Sequence, residues 1–563
     1  MFRSLVRIAS AAVGLAFIRH VVAQNDTLEQ ALPFDAREAT IASTHQALYT
    51  GETTCRTIVS AFLSRIEALN NRTNAIIALD PTALSVASDM DSLLANGNPR
   101  TGPLFCIPIL LKDNYDTASM PTTGGSLALE YSQPTTDAVT VKALKDAGAI
   151  VLGKANLHEL ALEGLSVSSL GGQTINPYDS TRTAGGSSGG TGAAIAASFA
   201  VLGTGTDTVN SLRSPASANG LFSCRPTRGL ISRAGVIPVS HTQDAVGPIA
   251  RCIEDVATAL TIMASVGLDL NDNATALVPE GIRDSDYRDE LTTGSLAGLR
   301  LGLLEGFFNR TASDETTPVN DVMAAMQAKL ESAGASVIPI TDNRYNASAI
   351  LAKYDVQRYE WRQEMDAYLQ DTALGGQHPQ TLKELFDSGD FLVIPSQYWH
   401  VNTALVSSTD NATWQTRPAY ATVQDSIRDL TLALQETFRS NQLDAIVYPQ
   451  QQNLVVKLGS ASQHGRNGIL GGVTGSPVVA VPAGFSEATA EAPVGVPIGM
   501  EILGQSWTEA KLLRIAYQIQ ELTEARRSPS WATRVVPIKQ YDAIPTVAPD
   551  RQKIPSAYPI GIL

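Results

Sequence analysis

Thr53 and Thr54 stand just ahead of a segment in which Ile58, Phe62, Ile66 and Leu69 recur at three- and four-residue spacing, with Val59 and Leu63 beside them. A capping hydroxyl followed by a one-sided apolar stripe predicts an amphipathic helix. Elsewhere the apolar residues come in short unbroken runs: Pro108 to Leu111, Ala149 to Leu152 between Gly148 and Gly153, Ala445 to Tyr448, and Val478 to Val481 ahead of Pro482-Ala483-Gly484. Runs of that length, bounded by Gly, Pro or polar residues, predict strands buried on both faces. Helical patterns alternate with them, notably Val139 to Ala147 and Trp507 to Leu522. The alternation predicts an α/β fold, a single large domain whose central mixed, mostly parallel β-sheet is covered by helices. From about Asp314 to Thr437 the pattern turns helical and polar, which predicts a variable insertion or lid. Beyond Ser528, Pro529, Pro537, Pro545, Pro549, Pro555 and Pro559 predict a tail, residues 529–563, packed on the surface of the domain.

The first residues follow a different rule. Arg3 and Arg7 precede Ile8 to Ile18, a run without a charge and apolar apart from Ser10. It falls well short of the ~20 residues that span a bilayer. The pattern predicts a secretory signal peptide over residues 1–23, with Val21 and Ala23 at the positions that precede cleavage. An uncleaved anchor is the competitor, and Arg19-His20 blurs the cleavage point. Residues 24–528 then make up the main domain. Sequons at Asn25, Asn71, Asn273, Asn309, Asn346 and Asn411 point the same way, although roughly half such matches would arise by chance in so Ser/Thr-rich a chain. Cys55, Cys106, Cys224 and Cys252 allow two disulfides in three connectivities. The chain reads as a secreted glycoprotein without a stable membrane span.

Composition narrows the class. Hydrophobic residues make up 44% and charged residues 17%, which excludes a disordered chain. With 41 Lys+Arg against 55 Asp+Glu the net charge is −14, which argues against a nucleic-acid partner. No C-x-x-C or H-E-x-x-H occurs and the seven histidines are scattered, so no metal or other cofactor is expected.

Several segments carry candidate chemistry. Gly148 to Lys154 has the spacing of a phosphate-binding loop, but Ala155 stands where a Mg²⁺-binding hydroxyl is needed, and the intervening residues are strand formers. A buried strand is the better reading. Gly185-Gly186-Ser187-Ser188-Gly189 satisfies G-x-S-x-G and leads into the small-residue stretch Ala193 to Ala200. A Ser-His-Asp esterase using Ser187 or Ser188 would need a later histidine, and His241, His378, His400 and His464 all qualify by order. A second serine, Ser211, follows in Gly205 to Pro215.

Together, Lys112-Asp113-Asn114, Gly185 to Gly190 and Gly205 to Pro215 resemble the amidase signature family. The resemblance extends to Gly102-Pro103-Leu104, Gly153-Lys154-Ala155-Asn156, Asn176-Pro177-Tyr178, Gly247 to Arg251, Pro482 to Phe485 and Pro497-Ile498-Gly499, in the family order. It covers about Thr53 to Arg527. Combined with the leader, it points to a secreted eukaryotic amidase of fungal type. The resemblance implies hydrolysis of an amide by a Lys/cis-Ser/Ser triad, with Lys112 as base, Ser187 as bridging serine held by a cis peptide, and Ser211 as nucleophile. The physical logic is coherent, because a serine hydroxyl is a poor nucleophile until a base takes its proton. A lysine serves only when neutral, a form that burial favours. Lys154 matches a position read as structural. The implied partner is a small carboxamide, peptide amide or acylated amine, and a homodimer is compatible with the same reading. A family member that acts on tRNA-bound glutamate is disfavoured by the leader and the charge.

One departure stands out. The backbone N–H groups of Thr208, Val209, Asn210 and Ser211 would form the oxyanion hole, and the family usually has glycine at both positions before the nucleophile. Val209 and Asn210 either need no positive φ and leave the hole intact, or impair it and leave a binding protein without activity. The expectation is an intact hole with an acyl pocket narrowed by the two added side chains. Phe105-Cys106, where the family often has His-Gly, leaves Lys112 in register.

Overall fold

The computed structural model describes residues 34–97, 102–292, 294–405 and 413–561. The leader and the sequons at Asn25 and Asn411 lie outside them. Eleven strands form one sheet: β1 (Ile76–Leu79), β2 (Ile107–Lys112), β3 (Ala149–Ala155), β4 (Leu202–Asp207), β5 (Phe222–Arg225), β6 (Ala245–Ala250), β7 (Arg300–Leu304), β8 (Ser336–Ile340), β9 (Ala445–Pro449), β10 (Val478–Phe485) and β11 (Pro497–Leu503). Their order across the sheet is β1-β3-β2-β4-β6-β5-β10-β11-β9-β7-β8. Pairing is parallel in two blocks, β3-β2-β4 and β9-β7-β8, and antiparallel through the centre from β4 to β9. The α/β single domain with a mixed, helix-covered sheet is therefore present. The apolar runs report burial on both faces, which their strands β2, β3, β9 and β10 have whichever way they point.

The helices used below are α1 (Cys55–Thr73), α2 (Val139–Asp146), α3 (Gly189–Ala196), α4 (Arg213–Ala218), α5 (Ile253–Ala264), α6 (Thr317–Ser332), α7 (Gln357–Leu369), α8 (Pro418–Asn441) and α9 (Glu509–Thr523). At the start of α1, the Thr54 hydroxyl accepts from the Thr57 N–H at 3.1 Å. The helix stops at Asn74, which takes a left-handed φ of 52°. Its stripe of Ile58, Val59, Phe62, Leu63 and Ile66 is wholly buried in the main core. Helix α5 packs on β5 and β6, α9 on β10, and α6 on β8 and β10.

The stretch from Asp314 to Thr437 is not one insertion. Its first part supplies α6 and the edge strand β8, which pairs in register with β7. Only from about Ala347 onward does the chain leave the sheet, as a helical cap that includes α7 and α8. The polar faces that read as a lid belong in part to a sheet edge, where one side meets water. One disulfide is formed, Cys55 to Cys106, joining the start of α1 to the residue before β2. Cys224, buried in β5, and Cys252 are free thiols. The tail runs back over the domain, and the Ala532 carbonyl accepts from Arg65 of α1 at 2.7 Å.

Candidate active site

Strands β2 and β4 are parallel neighbours, so their carboxyl ends open at the same edge of the sheet, which is where α/β sheets gather their ligand-binding groups. Lys112 ends β2 and is fully buried. Its Nζ lies 2.7 Å from Ser187 Oγ and 2.7 Å from Thr206 Oγ1 at the end of β4. Asn114 Nδ2 also donates to Thr206 Oγ1, at 3.2 Å. Burial pushes the Lys112 ammonium down to about 7, although Asp207 and Asp244 pull it upward. Half of such a population is neutral near pH 7.

Ser187 occupies the turn that leads into α3, and the Gly186–Ser187 peptide is cis. The glycines of this turn are there for close approach. Gly185 has φ +67°, and a Cβ on Gly190 would lie 2.1 Å from the Asn156 carbonyl oxygen. Ser166 fixes the turn from the other side, donating its hydroxyl to the Gly185 carbonyl at 2.6 Å and accepting from the Gly189 N–H at 3.1 Å. The Ser188 N–H donates to the Ser211 carbonyl at 3.1 Å, so the two serine-bearing turns are joined through their backbones.

Ser211 follows the turn Thr208-Val209-Asn210, which is clamped from below by buried charges. Arg213 donates to both Asp207 carboxylate oxygens, at 3.1 and 3.0 Å, and to Glu501. Arg225 donates to Asp207 Oδ1 at 2.9 Å. Burial works against the Asp207 carboxylate, but the Arg213 and Arg225 charges outweigh it and hold the group at about 2. All four carbonyls of the turn are engaged: Thr208 by Gln243, Val209 by Arg213, Asn210 by the Ser214 N–H, and Ser211 by the Ser188 N–H. The N–H groups of Val209, Asn210 and Ser211 have no acceptor among the described residues. Neither Val209 nor Asn210 has a positive φ.

The expected narrowing of the acyl pocket by Val209 is corrected here. Its side chain is buried in a hydrophobic cluster with Phe307, Tyr448, Ile469, Leu470 and Val473. The glycines face it from the opposite segment. A Cβ on Gly468 would lie 2.4 Å from the Asn210 Cβ, and one on Gly472 would lie 2.6 Å from the Thr208 carbonyl oxygen.

Thr206 and Thr208 also line a cavity of about 660 Å³ that reaches Asp116, Asp244 and, from the cap helix α7, Glu364 and Tyr368. The Thr208 hydroxyl donates to Asp244 at 2.6 Å, and the Tyr368 hydroxyl donates to Asp116 at 2.8 Å. Glu360 of α7 accepts from the Thr242 N–H at 3.0 Å and from the Tyr420 hydroxyl of α8 at 2.6 Å. The cap is thus tied to the loop that borders the site.

The structure joins Lys112 to Ser187, and Ser211 to the same pair of turns. Lys154 stands apart from them. It is buried against the Tyr115 and Pro121 carbonyls, at 2.8 and 3.0 Å, with Asp113 at 3.5 Å, as a structural lysine. Among the described residues no histidine side chain is hydrogen-bonded to the Ser187 or Ser188 hydroxyl; His158 meets Ser187 only through its backbone N–H, which donates to the Ser187 carbonyl at 2.9 Å. His241 packs on Trp414 beside Glu364, and His378 bonds the Pro379 and Leu374 carbonyls. The esterase geometry is not assembled. Sequence reading missed Thr206 and Asn114. Both lie within the motifs that flagged Lys112 and Ser211, but only the fold brings Thr206 to Lys112 and Asn114 to Thr206.

The sequence family described as Amidase matches residues 57–513. A glutamyl-tRNA(Gln) amidotransferase subunit of Alkalilimnicola ehrlichii is 32% identical over 516 residues, covering 87% of this chain and 98% of that protein. The native peptide amidase of Stenotrophomonas maltophilia, known from its X-ray structure, is 33% identical, with a TM-score of 0.76 over 88% of this chain and 99% of that one. An amidase family protein from Bacillus anthracis is 26% identical with a TM-score of 0.72, over 88% of this chain and 93% of that one. These three relatives are bacterial, and the likeness lends no support to a eukaryotic or fungal-type assignment. With most of its length matched and the fold shared, the chain belongs to the amidase signature family, as an enzyme that acts on amide C–N bonds.

Proposed function

We propose that the chain is a secreted serine amidase hydrolysing a small carboxamide, peptide amide or acylated amine through an acyl-enzyme on Ser211, with Lys112 as base and Ser187 as proton relay. The contact between buried Lys112 Nζ and Ser187 Oγ, 2.7 Å, carries this reading. In the neutral state the Lys112 lone pair accepts the Ser187 proton, while a Lys112 N–H donates to Thr206. Ser211 Oγ attacks the scissile carbonyl and passes its proton to Ser187, whose own proton moves to Lys112. The unengaged N–H groups of Val209, Asn210 and Ser211 suit the oxyanion that forms. As the C–N bond breaks, Ser187 gives a proton to the departing amine and is refilled from Lys112. Water then repeats the sequence on the ester and releases the acid.

Secretion is supported by the leader pattern, by the Cys55–Cys106 disulfide and by exposed sequon asparagines Asn71, Asn273 and Asn346. Among the described residues no helix is long and apolar enough to cross a membrane. A second reading, as one component of an amidotransferase, draws on the relatives of that name. The net charge of −14 favours the free-standing hydrolase without a nucleic-acid partner. The test is ammonia release by the purified protein alone from a panel of amides, with fluorophosphonate labelling in parallel. The expected result is turnover and labelling at Ser211, both abolished in Ser211→Ala and Lys112→Ala. Undiminished hydrolysis by Ser211→Ala would overturn the assignment.

A further inference from the structure

Each unengaged N–H of the turn that ends at Ser211 is aimed by whatever holds the carbonyl ahead of it. A trans peptide unit is planar, and its C=O and N–H point in opposite directions. Among the described residues only Gly186–Ser187 is cis, so the three peptide bonds from Thr208 to Ser211 are trans. The Asn210 N–H therefore follows the Val209 carbonyl, which Arg213 holds at 2.6 Å. The Ser211 N–H follows the Asn210 carbonyl, held by the Ser214 N–H at 2.8 Å. The Val209 N–H follows the Thr208 carbonyl, which Gln243 Nε2 holds at 3.3 Å. That bond is the longest of the three and the least firm.

Gln243 is fully buried, and its carboxamide is engaged at both ends. Its Oε1 accepts from the N–H of Val356, the residue that precedes α7, at 2.8 Å. The Thr208 carbonyl asks for a donor and the Val356 N–H for an acceptor, which fixes the orientation of the amide. The Gln243 backbone is anchored apart from the cap, because its carbonyl accepts from Arg225 at 2.7 Å, in the charge cluster around Asp207. A shift of α7 is therefore taken up by the Gln243 side chain. The same helix carries Glu364 and Tyr368 into the cavity of about 660 Å³, opposite Thr206 and Thr208. A ligand seated there bears on α7. The bonds of Glu360 end on the Thr242 N–H and the Ser240 and Thr242 hydroxyls, whereas Gln243 reaches on to the backbone of the turn.

We propose that Gln243 is a positioning residue for the oxyanion hole: its carboxamide aims the Val209 N–H, and it does so only while α7 is seated. The inference rests on the amidase reading above and adds a requirement to it, that the cap completes the hole. Removing one donor from such a hole typically lowers turnover by ~10²–10³. A donor left in place but no longer held costs less than that.

The test takes the amide that the wild-type protein turns over fastest, and two inhibitors built on its acyl group, a trifluoromethyl ketone and the corresponding alcohol. Ser211 Oγ adds to the ketone carbonyl and passes its proton to Ser187, which leaves an oxyanion in the hole. The alcohol binds without forming one. Gln243→Met keeps the length of the side chain and bonds neither partner. It should lower kcat by about 10–100-fold and leave KM within about twofold. Affinity for the ketone should fall by a similar factor, while affinity for the alcohol holds within about twofold. Equal losses on ketone and alcohol, or an unchanged kcat, would assign Gln243 a packing role and overturn the proposal. Hydrogen exchange on the wild-type protein needs no variant to fold. Coupling between two sites is reciprocal, so the ketone should slow exchange of the Val356 amide about fivefold or more relative to the alcohol. Equal exchange with the two inhibitors would overturn the link to the cap. Fluorophosphonate labelling separates the two levels. Labelled Ser211 with equal exchange defeats this inference alone, whereas an unlabelled protein that hydrolyses no amide defeats the amidase reading beneath it.

Discussion

Lys112 owes its chemistry to where its strand ends. An ordinary lysine titrates near 10.4 and is charged at neutral pH, whereas burial holds this one at about 7. Only the neutral amine can take a proton, so kcat/KM should rise as pH climbs through about 7 and level off above it. A profile flat from pH 5 to 9 would show that Lys112 is not the base. The same shift has a stability sign. Between about 7 and about 10.4 the unfolded chain binds a proton that the folded chain does not, so stability from this group rises with pH over that window. Its penalty is full below pH 7. Lys112→Met should therefore abolish turnover yet melt higher than wild type at pH 6, the expected trade between activity and stability.

At the scale of elements, the sequence was most informative where one physical cause dominates. The apolar runs around Ile109, Val151, Val447 and Val479 are buried on both faces and read plainly as strands. The α1 stripe with its Thr54 cap was equally legible. Strand direction was not, because burial leaves the same imprint on parallel and antiparallel neighbours. Motif order picked out Lys112, Ser187 and Ser211 as candidates, but Thr206 and Asn114, which meet Lys112 directly and through Thr206, come together only in the fold. The turn before Ser211 shows the limit best. Val209 and Asn210 look like a defect against the family pattern, since no sequence window joins them to Gly468 and Gly472. Because Val209 is 5% exposed and sits in a core cluster, Val209→Gly should cost about 1.5–3 kcal/mol of stability. The ratio of rates on large and small acyl amides should stay unchanged. A widened acyl preference with unchanged stability would mean that the side chain faces the substrate after all.

Across the whole molecule, the tail beyond Ser528 returns to α1. The tail carbonyls of Ala532 and Arg534 accept from Arg65, at 2.7 and 3.1 Å, and the Tyr541 carbonyl accepts from Arg56 at 2.6 Å. The Asp550 N–H donates to Asn74 Oδ1 at 3.0 Å, and the Pro559 carbonyl accepts from Val393 in the cap at 3.1 Å. The tail thus straps α1 and the cap to one body, while none of these bonds reaches Lys112, Ser187 or Ser211. Arg65 is only 3% exposed, so ending the chain at Ser528 strips acceptors from a buried guanidinium, at roughly 1–3 kcal/mol for each donor left unmet. The truncated protein should unfold at a lower temperature and lower urea concentration than the full chain. Its kcat below that transition should remain within about twofold, because the turns around Ser187 and Ser211 are held by Ser166, Asp207 and Arg213 and owe nothing to the tail. Loss of kcat with an unmoved melting temperature would reverse this division, making the strap a part of the catalytic assembly, with the cap as the element through which it acts.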